Sequence, residues 1–150
     1  MIVTVRVTTE SFDPGAETNA FLAAGEGYGA AVTFTGVVRS RPDTPVTTLT
    51  LECYPELAIN QLEAIVAAAT SRFELIATTI IHRYGALSAG EPIVQVMTLS
   101  AHRAAAFKGA EFLMDYLKTD APFWKLESGP DGAHWVDAKA GDDDARARWD

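Results

Sequence analysis

The sequence predicts one mixed domain of the α/β or α+β class. Three observations carry that prediction. Two long stretches repeat their apolar residues at helical spacing, about six or seven short runs have strand composition, and no linker or internal repeat divides the 150 residues. A chain of that length buries a core without help from disulfides or a metal.

The elements follow in order. Val3, Val5 and Val7 alternate as in a strand, and Asp13-Pro14 reads as N-cap and first position of a short helix through Phe21 and Leu22. Gly25, Gly27 and Gly29 mark a turn. The run AAVTFTGVV, residues 30–38, is a strand in which Gly36 signals a bulge or a close backbone approach, and Arg39 stands where it ends. SRPDTPV is a loop, and Thr47 to Cys53 forms a second strand expected to pair with the first. Pro55 opens a helix whose buried stripe is Leu62, Ile65, Val66, Ala69 and Phe73. Strands over Leu75 to His82 and Ile93 to Leu99 flank the turn-rich GALSAGEP. A second long helix runs from about Arg103 to Lys118, with Ala106, Phe107, Ala110, Leu113, Met114 and Leu117 inward and Lys108, Glu111, Asp115 and Lys118 outward. Phe123 to Glu127 and His134 to Ala138 are short strands joined by Gly129-Pro130-Asp131-Gly132, and the polar tail from about residue 140 is frayed or a short helix.

Composition excludes several classes of function. Hydrophobic residues make up 48% and charged residues 21%, as in an ordinary soluble protein. A net charge of −8 disfavours a nucleic-acid binder, because a phosphate backbone is gripped by a basic surface. The N-terminal segment lacks a signal peptide's basic and apolar regions, and no apolar run has the length of a membrane span. Cys53 is the single cysteine, so no internal bridge forms, and the expected compartment is the cytoplasm. Arg39, Arg41, Arg103, Lys108, Lys118 and Lys125, six of the twelve basic residues, nevertheless fall in two stretches, 36–41 and 100–125, while Asp137, Asp142, Asp143, Asp144 and Asp150 crowd the tail. A local basic pocket on an acidic protein suits a small anion or a partner's carboxylate terminus.

The segment MDYLKTDAPFWKLE is the richest in chemistry. Lys118 closes a helix that Pro122 prevents from continuing, and Phe123, Trp124 and Leu126 place apolar walls beside Lys125. An ammonium held against such walls loses hydration, so its pKa falls or it grips a buried anion. The bland reading leaves Lys118 on the polar face of its helix and Lys125 solvated on a strand. His102 and Arg103 open the second long helix, with Ser100 or His102 near the N-cap. Cations there run against the macrodipole unless a phosphate or carboxylate docks, and an exposed arginine tolerating a small cost is the equal alternative. His82-Arg83 reads as a structural or surface pair, His134 is isolated, and the three histidines lack metal spacing. Cys53 packs as a small hydrophobe. No G-x-S-x-G, P-loop or dinucleotide fingerprint occurs.

Six ordered pieces, GAAVTFTGVVRS, LTLECYPELA, IIHRYGALSAGE, SAHRAAAF, MDYLKTDAPFWK and HWVDA, give the chain a resemblance to the large, catalytic subunit of molybdopterin synthase over nearly its whole length. The resemblance implies an α+β fold, the α/β-hammerhead with additional antiparallel strands. It also implies a sulfurtransferase of molybdenum cofactor biosynthesis, converting a cyclic pyranopterin monophosphate to molybdopterin. Sulfur would come from the C-terminal Gly-Gly thiocarboxylate of a ubiquitin-like small subunit, two of which flank a large-subunit homodimer in a heterotetramer. No cofactor and no metal of the chain's own are implied.

Carried over residue by residue, the family's pocket falls on Val37, Val38, Arg39, His102, Arg103, Lys118, Lys125, Leu126 and Glu127. Arg39, His102 and Arg103 are expected to bind the substrate phosphate, Lys118 to exchange protons beside the thiocarboxylate, and Lys125 to hold the pterin or stabilise developing charge. Three positions depart from the family pattern. Ser40-Arg41-Pro42 replaces a more polar loop, Leu126 stands where a basic residue is common, and Lys139 replaces a frequent arginine. Two other readings fit the same pocket: a non-catalytic scaffold for a Gly-Gly-tailed protein, or an unrelated enzyme acting on a small phosphorylated metabolite.

Overall fold

The computed structural model describes residues 2–43, 45–136 and 140–150, with the side chains of Ile2, Ala140 and Gly141 left aside. Twelve elements follow one another: β1 (Ile2–Thr8), α1 (Pro14–Ala24), β2 (Ala30–Val37), β3 (Thr48–Glu52), α2 (Pro55–Phe73), β4 (Ala77–Arg83), β5 (Gly85–Ser88), β6 (Pro92–Ser100), α3 (Arg103–Thr119), β7 (Trp124–Gly129), β8 (Gly132–Val136) and α4 (Ala140–Ala147).

Two four-stranded sheets result. The first has the order β1-β4-β6-β2, with β1 and β4 parallel and the other pairs antiparallel. The second, β5-β3-β7-β8, is antiparallel throughout. The α+β expectation therefore holds, with one correction to the pairing. The Thr47–Cys53 strand does not join the Ala30–Val38 strand: β2 pairs with β6, and β3 lies between β5 and β7. The loop between β2 and β3 is long enough to carry the chain to a different sheet. The GALSAGEP stretch also contains strand β5, whose four residues are too few to display an alternation among turn residues.

Helices α2 and α3 cover the first sheet. Leu62, Val66 and Ala69 of α2 meet Ala110 and Leu113 of α3 over Ile80, Val94 and Val96 of the central strands. Gly109 lets α3 approach closely, since a Cβ there would lie 2.8 Å from the Leu75 side chain. Phe107, expected to face inward, is 61% exposed. Its place in the helical repeat lies at the edge of the stripe, next to Ala106 and Ala110, which pack fully. Strand β4 is buried along its entire length, because it is central in its sheet.

The register of β2 shifts between Gly36 and Val37, which is the irregularity expected at Gly36. The tail folds as the short helix α4 and is fastened to α3. Arg146 donates to Asp120 at 2.5 Å, Trp149 Nε1 to Asp115 at 2.6 Å, and Arg148 reaches both Glu111 and Asp115. Asp115, read as a solvent-facing residue, is thereby drawn into an interface whose apolar part is the edge-to-face cluster of Phe73, Phe112 and Trp149. The end of the His134–Ala138 strand and Lys139 lie outside the described residues.

Candidate functional site

The two lysines come together because a helix end and a strand start converge. Lys118 lies in the last turn of α3, a favourable place for a cation, and stays exposed. The helix stops at Asp120, whose N–H donates to the Tyr116 carbonyl at 2.8 Å. Pro122 follows, Phe123 closes a tight turn onto the Ala121 carbonyl, and Trp124 begins β7. In the β3–β7 ladder Lys125 stands opposite Leu51, and Glu127 opposite Leu49, so both project onto the face that holds the buried leucines. Trp124 and Leu126 project the other way, and Trp124 meets Tyr54 edge to face.

This half-buried position pulls the Lys125 pKa down to about 8, first through lost hydration and then through Lys118. The Lys118 charge is close enough to disfavour a second ammonium at Lys125. With a pKa of about 8, roughly a tenth of Lys125 side chains are neutral at pH 7. Asp142 of α4 and Glu127 act in the opposite sense and favour the charged form.

His82, at the end of β4, belongs to the same neighbourhood. Its ring is 7% exposed, stacks on Phe123 with centroids 3.8 Å apart, and pairs Nδ1 with the Arg83 carbonyl at 2.8 Å. Burial, followed at a distance by the Lys125 and Lys118 charges, holds its pKa down at about 4, against the pull of the Arg83 carbonyl. The structural half of the His82-Arg83 reading holds, and the surface half does not. Arg83 is 6% exposed, donates to the Thr9 carbonyl and lies 3.6 Å from Glu91.

A stability prediction follows from His82. Between pH 6.5 and 4 the unfolded chain binds a proton on this residue that the folded chain refuses, so stability falls as pH falls through that window. Urea unfolding at pH 7 and at pH 4.5 is expected to reveal a loss of about 2–3 kcal/mol that His82→Phe abolishes.

The remaining site residues divide between two ends of the chain. Val37 and Pro92 pair at the same end of the first sheet as His82 and Val94, so Val37, Val38 and Arg39 lie toward the lysine end. Val38 is buried and exchanges backbone hydrogen bonds with Gly90 and Glu91, while Arg39 is exposed beyond them. His102 and Arg103 follow β6 at its opposite end, where Ser100 pairs with Ala30. His102 is the N-cap by backbone conformation, without a side-chain capping bond, and Ser100 is the buried last residue of β6. Helix α3 then runs back across the sheet, separating Arg103 from Lys118 by roughly 22 Å at 1.5 Å per residue. One copy thus unites the lysines with His82 but not with His102 and Arg103.

Leu126 is half-buried and faces away from Lys125, so a basic residue there would not join the lysine pair directly. Glu127 lies 3.5 Å from His134 on β8. Cys53 is half-buried, and burial raises its pKa, which keeps the thiol protonated and unreactive.

The MoaE protein family model matches residues 7–120. The chain belongs to the MoaE family. Among curated relatives, the molybdopterin synthase catalytic subunit of Rhizobium meliloti is 49% identical over 149 residues, covering 98% of this chain and 96% of the relative. That of Pseudomonas aeruginosa is 46% identical, covering 97% and 98%. The solved MoaE protein of Burkholderia ambifaria superposes with a TM-score of 0.83 at 46% identity, covering 99% of this chain and 98% of its own. Molybdopterin synthase from Staphylococcus aureus gives 0.79 at 28% identity over 88% and 96%. The resemblance drawn from six sequence pieces is borne out, and the chain is a homologue of molybdopterin synthase catalytic subunits along nearly all of its length.

Sequence reasoning gave no role at the site to two residues that lie near the lysines, His82 and Asp142. The signal for His82 was present in residues 75–81, an uncharged run in which only Thr78 and Thr79 are not apolar, which fits a strand buried on both faces and a buried histidine at its end. No comparable signal exists for Asp142, one of three consecutive aspartates whose direction depends on how α4 docks.

Proposed function

We propose that this chain is the catalytic subunit of a molybdopterin synthase, transferring sulfur from the C-terminal thiocarboxylate of a small Gly-Gly-tailed protein to a cyclic pterin monophosphate. The observation that carries the reading is the Lys118–Lys125 pair at the end of α3, with Lys125 held near neutrality by partial burial. A thiocarboxylate sulfur attacks an oxygen-bearing side-chain carbon of the pterin; the C–S bond forms as the C–O bond breaks and the oxygen leaves after protonation, so the tail is joined to substrate as an acyl group on sulfur. Water then cleaves that bond, freeing a carboxylate on the tail and a thiolate on the pterin. The second step needs a base to take the water proton and a cation beside the oxyanion. A lysine with pKa about 8 supplies the base, and exposed Lys118 supplies the cation. The proton-transfer role thereby fits Lys125 better than Lys118. Sulfur arrives on the partner, so no resident cofactor or metal is required, and the reaction belongs in the cytoplasm. Among the described residues no helix is long and apolar enough to cross a membrane.

The separation of His102 and Arg103 from the lysines supports a homodimer. An anion held by Arg103 of one copy would reach Lys118 and Lys125 of the other, and Arg39 on the lysine side would share the phosphate. Incubating the native chain with a thiocarboxylated small subunit and the cyclic pterin monophosphate tests this function directly. Dithiolene product is expected. Binding of the small subunit without product would leave a scaffold, and no binding would overturn the partner assignment.

A further inference from the structure

We propose that His82 is a positioning residue for the lysine pair: its flat ring, fixed at the end of a central strand, is the platform on which Phe123 rests. That stack sets the path of residues 121–125 and so places Lys125 beside Lys118. The inference rests on the reading of those lysines as the reacting pair.

The geometry is specific. Lys125 starts no further than two residues from Phe123, in a segment where Pro122 has ended the helix and β7 has barely begun. The Phe123 and His82 rings lie 13° from parallel, with centroids 3.8 Å apart. His82 is well placed to act as an anchor, because β4 is paired on both sides, with Val7 of β1 and Val94 of β6 opposite this residue. The Arg83 carbonyl accepts from Nδ1, which fixes both the tautomer and the plane of the ring. A leucine at this position would fill the space but offer no plane. A phenylalanine would restore the plane and lose only the pin.

The ring must also stay uncharged, and its surroundings ensure this. It is buried within the electrostatic reach of both ammoniums, so an imidazolium would be a third cation in one place. The groups facing Lys125 itself are Lys118 from α3, Glu127 from β7 and Asp142 from α4. Loss of the platform would let the 121–125 segment move outward, and Lys125 would regain water and its ordinary basicity.

Carbon-13 NMR of the reductively dimethylated chain follows each lysine through a pH titration, with the Lys125 signal assigned by its disappearance in Lys125→Arg. In the native chain the Lys125 midpoint is expected near 8. In His82→Ala and in Phe123→Ala its midpoint is expected to rise by about one unit or more, and in His82→Phe to remain near the native value. Single-turnover sulfur transfer should slow by about tenfold or more in Phe123→Ala, with unchanged affinity for the small subunit, and be largely retained in His82→Phe. Phe123 lies outside the sheets, so that variant remains informative should His82→Ala fail to fold. A native Lys125 midpoint in folded Phe123→Ala, or a His82→Phe chain whose Lys125 titrates like that of an ordinary lysine, would overturn the proposal. The titration needs neither substrate nor partner, so absence of product from every chain would count against the synthase reading and leave the platform to be judged on its own.

Discussion

Lys125→Ala is expected to slow sulfur transfer by about 10²–10⁴-fold in a single turnover, while the small subunit still binds. The size of the effect follows from the position of the residue. Lys125 stands opposite Leu51 in the β3–β7 ladder, where burial brings its pKa to about 8, so near neutral pH it exchanges protons in both directions. An ordinary solvated lysine is almost wholly protonated there and makes a poor base. Lys125→Arg keeps a cation but removes the exchangeable proton, so it should not recover the rate. Because the free amine is the active form, the native rate should rise with pH through an apparent midpoint near 8, and that limb should vanish in Lys125→Arg. Lys118→Ala is expected to cost about 10²–10³-fold through loss of the cation beside the developing oxyanion. A flat pH profile across 7–9 with a normal native rate would remove Lys125 from the proton-transfer step.

Much of this arrangement was legible in the sequence. Helix α3 and its end at Lys118 followed from apolar spacing and Pro122, and the strand bearing Lys125 from its aromatic composition. Those are local properties, and local rules capture them. What escaped depends on distant parts of the chain. Nothing in Thr47–Cys53 indicates that it pairs with β7 rather than β2, since both alternatives satisfy the same apolar alternation. The depressed pKa of Lys125 was foreseen only as one of two outcomes, because it requires Leu51 and Lys118 to be brought alongside. His82 was read as a structural or surface residue because its neighbours in space, Phe123 and the two lysines, are about forty residues away in sequence. Asp142 became part of the site through the docking of α4, which depends on Arg146 finding Asp120 at the C-cap of α3 and on Arg148 and Trp149 finding Glu111 and Asp115 on that helix.

Mixing two inactive variants, Lys125→Ala and Arg103→Ala, is expected to restore about a quarter of native activity, provided the two exchange subunits freely. Each variant alone lacks a component that every one of its sites requires. The reason for expecting recovery is the length of α3, which holds Arg103 and Lys118 roughly 22 Å apart in one copy. A substrate of small-molecule size cannot touch both ends, so a pocket using both draws its lysines from one copy and its arginine from another. In a two-fold symmetric dimer a mixed pair contains one site with both residues intact and one site with both missing. Random exchange makes half of the dimers mixed, and half of their sites are whole, which gives the expected quarter. Were the pocket built within a single copy, no combination of the two variants could assemble a complete site, and the mixture would stay at the residual rate of its parents. Mixing Lys118→Ala with Lys125→Ala is the matching control. Both lysines come from the same copy, so that mixture stays inactive whichever way the copies pair.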